Sequence, residues 1–509
     1  MRKRVPTDPN TAGTGGGNGP IGTRPADAHE LTVKGLAANR ISLLGTITMG
    51  VGAGGPAYSL AASLGLMALA VGAKAPAMLI VSFVPMLLVA TAYYSFARVS
   101  PDCGQAFSWT TDALGPFVGW IIGFWGIAMA LIITPNIINV ATAYFYLLFG
   151  LDGAATSNFW LTLGSVVFLV IVIGVVAVGV ELSVRMQYML MALQMGSLVV
   201  FAAVTLVKPF FADPAGHTPL SAGWFVPTSL SGPEMVNGLL IGVFFYTGWD
   251  VATSISEESK DSHRLPAIGT ILCAVVFVLI FTLCAAGAQS YRGSQFLVHN
   301  KGDVLSAVSA EALGSPWDKI VVLAVFTATL AVALGTMVYV TRWTLSMAFS
   351  KALSSVFSQI DPEHRTPFRG TLILGGTVIG IRILLALLNE NLVYDLVPSL
   401  ALVSAIEYAV AAFACVVYFR KRLTKSVHNL LMMGLFPALG GSTLMYVYIK
   451  SAITYWDPAN SFSGGWLGVG SIFWVGIGTT FLGGILMLVA WPFERDFFKR
   501  SLESWPAEG

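Results

Sequence analysis

The chain has 509 residues, 55% of them hydrophobic and only 11% charged, with a formal net charge of +2 and a mean hydropathy of +0.75. Soluble domains carry about 25% charged residues, so this apolar excess is more than a soluble core hides, and the sequence reads as a polytopic membrane protein. The near-neutral balance, with no basic patch interleaved with aromatics, excludes nucleic acid as a partner.

The amino terminus carries Arg2, Lys3 and Arg4, but no apolar segment follows them. Thr11 to Pro25 is rich in Gly, Thr and Pro instead and cannot bury enough surface to fold. Residues 1–36 therefore read as a disordered cytoplasmic tail, with no cleaved signal peptide. Twelve stretches of about 20 apolar residues follow. They fall at 40–69, 75–97, 116–149, 157–180, 184–207, 234–256, 266–289, 318–349, 371–389, 393–419, 428–450 and 467–491. Residues 37–492 form the transporter domain of this reading, and 493–509 a second cytoplasmic tail. The segment Val99 to Gly115 predicts a short helix lying along the cytoplasmic face. The connections 208–233 and 290–317 are the longest on the other side.

An even number of spans puts both termini on one side. Twenty of the 28 Lys and Arg residues fall in segments on the side of the termini and six on the other, with Arg342 and Arg382 inside spans. That asymmetry predicts cytoplasmic termini in a plasma-membrane protein. The four cysteines, Cys103, Cys273, Cys284 and Cys415, have no metal-ligand spacing and read as small buried hydrophobes.

Two spans carry interruptions. Gly50-Val51-Gly52-Ala53-Gly54-Gly55-Pro56 sits in the first, and Phe244-Phe245-Tyr246-Thr247-Gly248-Trp249-Asp250 in the sixth. Clustered glycines weaken a helix, and proline removes a donor and clashes with the preceding turn. Lipid offers backbone groups no partner, so irregular backbone at membrane depth marks a protein-lined cavity. The two breaks lie five spans apart. An odd offset reverses orientation, which predicts a five-plus-five inverted repeat with two extra helices and a binding site at the breaks.

Several blocks resemble the amino acid–polyamine–organocation (APC) superfamily of permeases, which has the LeuT-type fold. Val51-Gly52-Ala53-Gly54 is similar to its I-G-[ST]-G signature. Phe244 to Asp250, then Glu257-Glu258-Ser259-Lys260-Asp261 and Pro266, resemble F-x-Y-x-G-[FW]-[DE] with an E-E-x-[KR]-[DN] inner cap. Pro101 to Trp109 with Leu114-Gly115-Pro116 is similar to P-x-x-G-G-x-Y-x-[YW]…L-G-P, with Gln105 at the second glycine. Arg342, Met347-Ala348 and Arg365-Thr366-Pro367 resemble R-x-x-x-A-M-A…x-T-P. The resemblance covers about residues 35 to 425. It implies an all-α membrane protein with broken helices 1 and 6, moving solute by alternating access. It also implies that the fifth span holds Gln194 where proton-coupled members carry a lysine.

From these residues a candidate site follows. The glycine cluster reads either as a close packing face, Gly50-x-x-x-Gly54, or as an unwound hinge. As a hinge, Gly50, Val51, Gly52, Ala53 and Gly54 present N–H groups at a half-helix N-terminus to a substrate carboxylate. Carbonyls of Phe244, Phe245 and Thr247 then face the ammonium, Tyr246 and Trp249 gate the site around Gly248, and Asp250 contacts substrate. Thr327 and Thr329 are candidates for a sodium site, and with Gln194 make the ion-coupling set. Arg382 and Glu407 come out at similar depth, about 20 and 18 Å from the inner ends of their spans at 1.5 Å per residue, which predicts a buried structural pair. The expected activity is transport of an amino acid, with H+ or Na+ as the coupling partner and the lipid bilayer as solvent. The alternatives are a polyamine or organic-cation carrier and a non-transporting sensor. No nucleophile–base pair, phosphate loop or metal set appears, so neither an enzyme nor a cofactor is expected.

Overall fold

A computed structural model describes residues 32–212, 214, 216–387 and 392–500, the side chains of 392–394 excepted. Most of the first predicted tail and the end of the second lie outside these residues. Thr32 to Leu36 of the first tail form a turn closed by the bond from Gly35 N–H to the Thr32 carbonyl (2.9 Å), with Leu36 fully buried. The second tail begins with the short helix Arg495–Phe498, whose Phe497 stacks on Phe107 at 5.9 Å. Apolar burial therefore ties both stretches to the body.

The described residues are mostly helical, as membrane burial of a backbone requires, with one short strand pair, Gly465–Trp466 and Val469–Gly470. The helices are α1 (Leu43–Gly54), α2 (Pro56–Val71), α3 (Ala75–Val99), α4 (Gln105–Leu114), α5 (Pro116–Leu148), α6 (Asn158–Val178), α7 (Val180–Val207) and α8 (Gly232–Phe245). They continue with α9 (Val251–Ser254), α10 (Leu265–His299), α11 (Val304–Ala312), α12 (Lys319–Phe349), α13 (Phe368–Leu385), α14 (Leu392–Tyr418), α15 (Phe436–Tyr455) and α16 (Ser471–Ala490). Among the described residues ten helical runs are long and apolar enough to cross a membrane, the first being Leu43–Val99 as a whole; α8 is shorter. The chain is an integral multi-pass membrane protein.

Burial sorts these helices. In its most apolar stretch α14 has 78% of its residues buried and α12 has 72%, whereas α16 has 28%. So α12 and α14 stand in the middle of the bundle and α16 turns much of its surface outward. Around α12 pack α1, α5 and α7, and α14 lies against α3, α4, α8 and α15. The predicted short helix is α4. Its first residue, Gln105, adopts φ +45° and is fully buried. Only glycine takes that conformation without a Cβ penalty, which accounts for the glycine of the related pattern.

Candidate functional site

Both interruptions are present, but the first is narrower than expected. Gly50 to Gly54 stay helical at the end of α1, and the break is Gly55 alone, at φ 50° and ψ 66°. Its N–H turns back to the carbonyls of Val51 and Gly52, and Pro56 opens α2. The amides of Gly52, Ala53 and Gly54 are thus not freed as expected. The donors left without an acceptor in the preceding turn are those of Ala57 and Tyr58, at the start of α2.

The glycines of α1 serve close approach. A Cβ on Gly50 would meet the Cys273 sulfur at 2.6 Å, and one on Gly54 the Phe277 ring at 2.2 Å. These pairs, each four residues apart on α1 and α10, are the packing-face alternative. A Cβ on Gly52 would meet the Gln187 side chain at 2.5 Å.

The second break separates α8 from α9. Gly248 stands at φ +95°, where a Cβ would come within 2.6 Å of the Gly54 nitrogen and 2.8 Å of the Ala53 carbonyl carbon. The two breaks therefore meet backbone to backbone. The expected set of free carbonyls changes too, because Thr247 donates to the Phe244 carbonyl through its own N–H (3.2 Å) and its hydroxyl (2.8 Å). The carbonyls of Phe245, Tyr246 and Thr247 accept no hydrogen bond among the described residues.

Asp250 is 6% exposed, and its Oδ1 accepts from the Tyr408 hydroxyl at 2.8 Å. Trp249 stacks on Tyr408 with centroids 5.3 Å apart and meets Tyr93 edge-on at 4.8 Å. Tyr246 turns away from this cluster and donates to the Leu79 carbonyl at 2.8 Å, which fixes it as packing against α3. Tyr58 of α2 meets Phe244 edge-on at 6.3 Å.

Three expectations are corrected. Arg382 and Glu407 form no pair. Arg382 donates to Asn139 Oδ1 and to Ser165 Oγ (3.3 Å), because α13 packs against α5 and α6. Neighbours in sequence were taken as neighbours in space, and they are not. Thr327 and Thr329 donate to carbonyls of their own helix, of Leu323 and Ala324 and of Val325 and Phe326. The α12 positions facing the breaks are Ala328, Ala331, Val332 and Gly335, one helical stripe that the threonines flank. Gln194 is fully buried without a hydrogen-bond partner, whereas Gln187, seven residues earlier on the same face, wedges between Gly52 and Gly335 and donates to the Ala331 carbonyl at 2.7 Å. The sequence reading missed Gln187, although a second glutamine two turns away was a visible signal.

At the end of the bundle where the chain enters α1 lies a polar network. Lys34 Nζ contacts Asp102 Oδ2 and Glu257 Oε1, both at 2.7 Å, and Ser346 Oγ at 3.2 Å. The fully buried Arg342 forms two bonds with Glu258, at 3.0 and 3.1 Å. The Glu258 carbonyl accepts from the N–H groups of Arg40 and Ile41. The segment preceding α1 is thereby stitched to the connection between α3 and α4, to α12 and to the end of the sixth-span region. Burial opposes the charges of this cluster, but the Lys34 ammonium holds Asp102 below the usual carboxylate range. Burial also works against Lys34, yet its acidic neighbours hold it well above the usual lysine range. Burial, then the Glu257 carboxylate, pushes the Cys103 thiol well up.

A family profile described as amino acid permease matches residues 40–481. The chain belongs to the amino acid permease family. Relatives of this permease include the methylthioribose transporter of Bacillus subtilis, 24% identical over 60% of this chain and 66% of the relative. The vacuolar cationic amino acid transporter 4 of Arabidopsis thaliana is 26% identical over 66% of this chain and 57% of its own. The low-affinity putrescine importer PlaP of Escherichia coli is 22% identical over 64% and 68%. The permease thus spans about three-fifths to two-thirds of the length of the first curated relatives it matches.

Proposed function

We propose that this permease is a secondary active transporter that moves amino acids across the cytoplasmic membrane by alternating access, coupled to H+ or Na+. The observation that carries the reading is the contact of the two breaks at Gly248 and Gly54. In this reading the unfilled amides of Ala57 and Tyr58 and the unfilled carbonyls of Phe245, Tyr246 and Thr247 serve as opposite poles for a carboxylate and an ammonium. Val51 to Gly54 supply the close-packed wall, and Trp249 and Asp250 the side that faces Tyr408.

The membrane topology of this reading has twelve spans. The run Leu43–Val99 has 57 residues, about 85 Å of helix against a hydrocarbon core of about 30 Å. It turns back at Gly72, which stands at φ 57°, and so counts as two spans. The region Gly232 to Ser254, broken at Tyr246 to Asp250, counts as the sixth. The inverted repeat follows from the positions of the two breaks. Both termini are cytoplasmic, and the Lys34 and Arg342 networks form the inner gate. Gln187, as an amide, carries no titratable proton, so at this position α7 offers the coupling ion a contact and not a proton carrier.

The test is counterflow in proteoliposomes preloaded with a mixture of amino acids, under a sodium gradient and under a proton gradient. Saturable, counterflow-stimulated uptake is expected. Absence of saturable flux for every amino acid, with the protein folded and inserted, removes the reading and favours a sensor.

The inner gate makes its own prediction. Lys34→Ala leaves Asp102 and Glu257 facing each other and is expected to raise maleimide labelling of Cys103 severalfold, because that thiol is fully buried behind the cluster. The lowered Asp102 keeps its stabilising charge until pH falls through its folded value, and the raised Lys34 keeps its own until pH rises beyond the usual lysine range. In wild type the Asp102–Lys34 pair therefore stays charged from about pH 5 to pH 10. Once scaled for the thiol's own ionisation on denatured protein, labelling is expected to be flat across that window. A step inside it contradicts the assignment.

A further inference from the structure

Glu407 was expected to be neutralised by Arg382, and it is not. It is 5% exposed, and no hydrogen bond or ion pair to its carboxylate exists among the described residues. Tyr408, the residue after Glu407 on α14, donates to Asp250, and the Glu407 and Asp250 carboxylates interact electrostatically. Tyr93 and Tyr339 lie within electrostatic reach of both carboxylates. Trp249 packs between Tyr93 and Tyr408. The Tyr93 hydroxyl and Trp249 Nε1 are buried without a partner. Three cations with buried side chains are committed elsewhere, Arg342 to Glu258, Arg382 to Asn139 and Ser165, and Lys34 to Asp102 and Glu257.

The two carboxylates neighbour an aromatic cluster that, among the described residues, supplies no cation of its own. A carboxylate at membrane depth is costly even on permissive scales, and two of them repel each other. Ring faces favour an ammonium or guanidinium within about 6 Å.

We propose that Glu407 is a substrate-binding residue that forms, with Asp250, a paired acidic subsite for a distal cationic group of the solute. The solute class is then a dibasic amino acid or a diamine. The inference rests on the permease reading given above and adds the charge of the far end of the solute. The distal cation donates to both carboxylates and lies against the faces of Tyr93, Tyr408 and Trp249. A neutral chain of the same length leaves both acids unpartnered, which a site built for a charged group penalises heavily.

The experiment measures counterflow of lysine, ornithine, cadaverine and norleucine in proteoliposomes of the wild type and of Glu407→Gln. Lysine or cadaverine is expected to exceed norleucine at least about 100-fold in transport efficiency. Lysine above cadaverine assigns the dibasic amino acid, and the reverse order assigns the diamine. Glu407→Gln is expected to cut that preference at least about tenfold, with a melting curve reporting that it is folded. If norleucine equals or exceeds both cations, the inference falls and the permease reading survives. If no amino acid or amine moves, both fall. If folded Glu407→Gln keeps the full preference, Glu407 has no place in the subsite. The wild-type comparison decides the solute class even where the variant does not fold.

Discussion

Gly248→Ala is expected to abolish counterflow and to lower the stability of the folded chain by about 3 kcal/mol or more. Two costs add at this position. The residue stands at φ +95°, where a side chain is strained whatever space surrounds it. Its added carbon would also lie 2.6 Å from the Gly54 nitrogen and 2.8 Å from Gly54 Cα. These are backbone atoms that cannot rotate aside, so the two breaks must separate and the poles built from them come apart. Gly174 and Gly196 serve as comparisons, because a Cβ there meets nothing within 4 Å. Alanine at either is expected to be neutral or to stabilise by about 0.5–1 kcal/mol. Wild-type melting and wild-type counterflow in Gly248→Ala contradict the contact between the breaks.

Arg342→Met is the second large effect. The Arg342 and Glu258 side chains are 0% and 1% exposed, and the variant leaves a buried carboxylate without its partner. Breaking such a pair costs about 3–5 kcal/mol, much of it the penalty of the orphaned charge. The double variant Arg342→Met with Glu258→Gln is therefore expected to recover most of the loss in a thermal melt. The Glu258 carbonyl still holds the amides of Arg40 and Ile41 in that variant, so the segment preceding α1 stays attached. Two single losses that simply add in the double variant show that the pair is not coupled. Gating is affected separately from stability: with the pair gone, the end of the bundle near Lys34 is expected to label faster at Cys103.

Much of the organisation was legible from residue order because lipid makes hydropathy a structural constraint. The apolar runs predicted helices, and the Val99 to Gly115 segment predicted the short helix α4. The stretches Gly50 to Pro56 and Phe244 to Asp250 marked two interruptions at separate places in the chain. What hydropathy does not carry is rotational phase and helix adjacency. Thr327 and Thr329 were picked by residue type, yet Ala328 and Val332 hold the phase that faces the break. Gln194 was implied by the family resemblance, yet Gln187 is the one that reaches the first break. Arg382 and Glu407 were matched by depth alone, and depth cannot say which helices touch.

The sequence by itself determined a multi-pass helical membrane protein of the amino acid permease family, because composition, glycine clusters and motif order are one-dimensional properties. Only the tertiary structure decided that Gly50 to Gly54 remain helical and that the hinge is the single residue Gly55. It also decided that Gly248 touches Gly54 and that Arg382 turns to Asn139 and Ser165. With that, Glu407 stands unpaired in the cluster of Asp250. The physical reason is that a backbone approach and a charge pairing depend on which helices pack together and at what rotation, and both are settled by side-chain volumes met across the bundle, far apart in the chain.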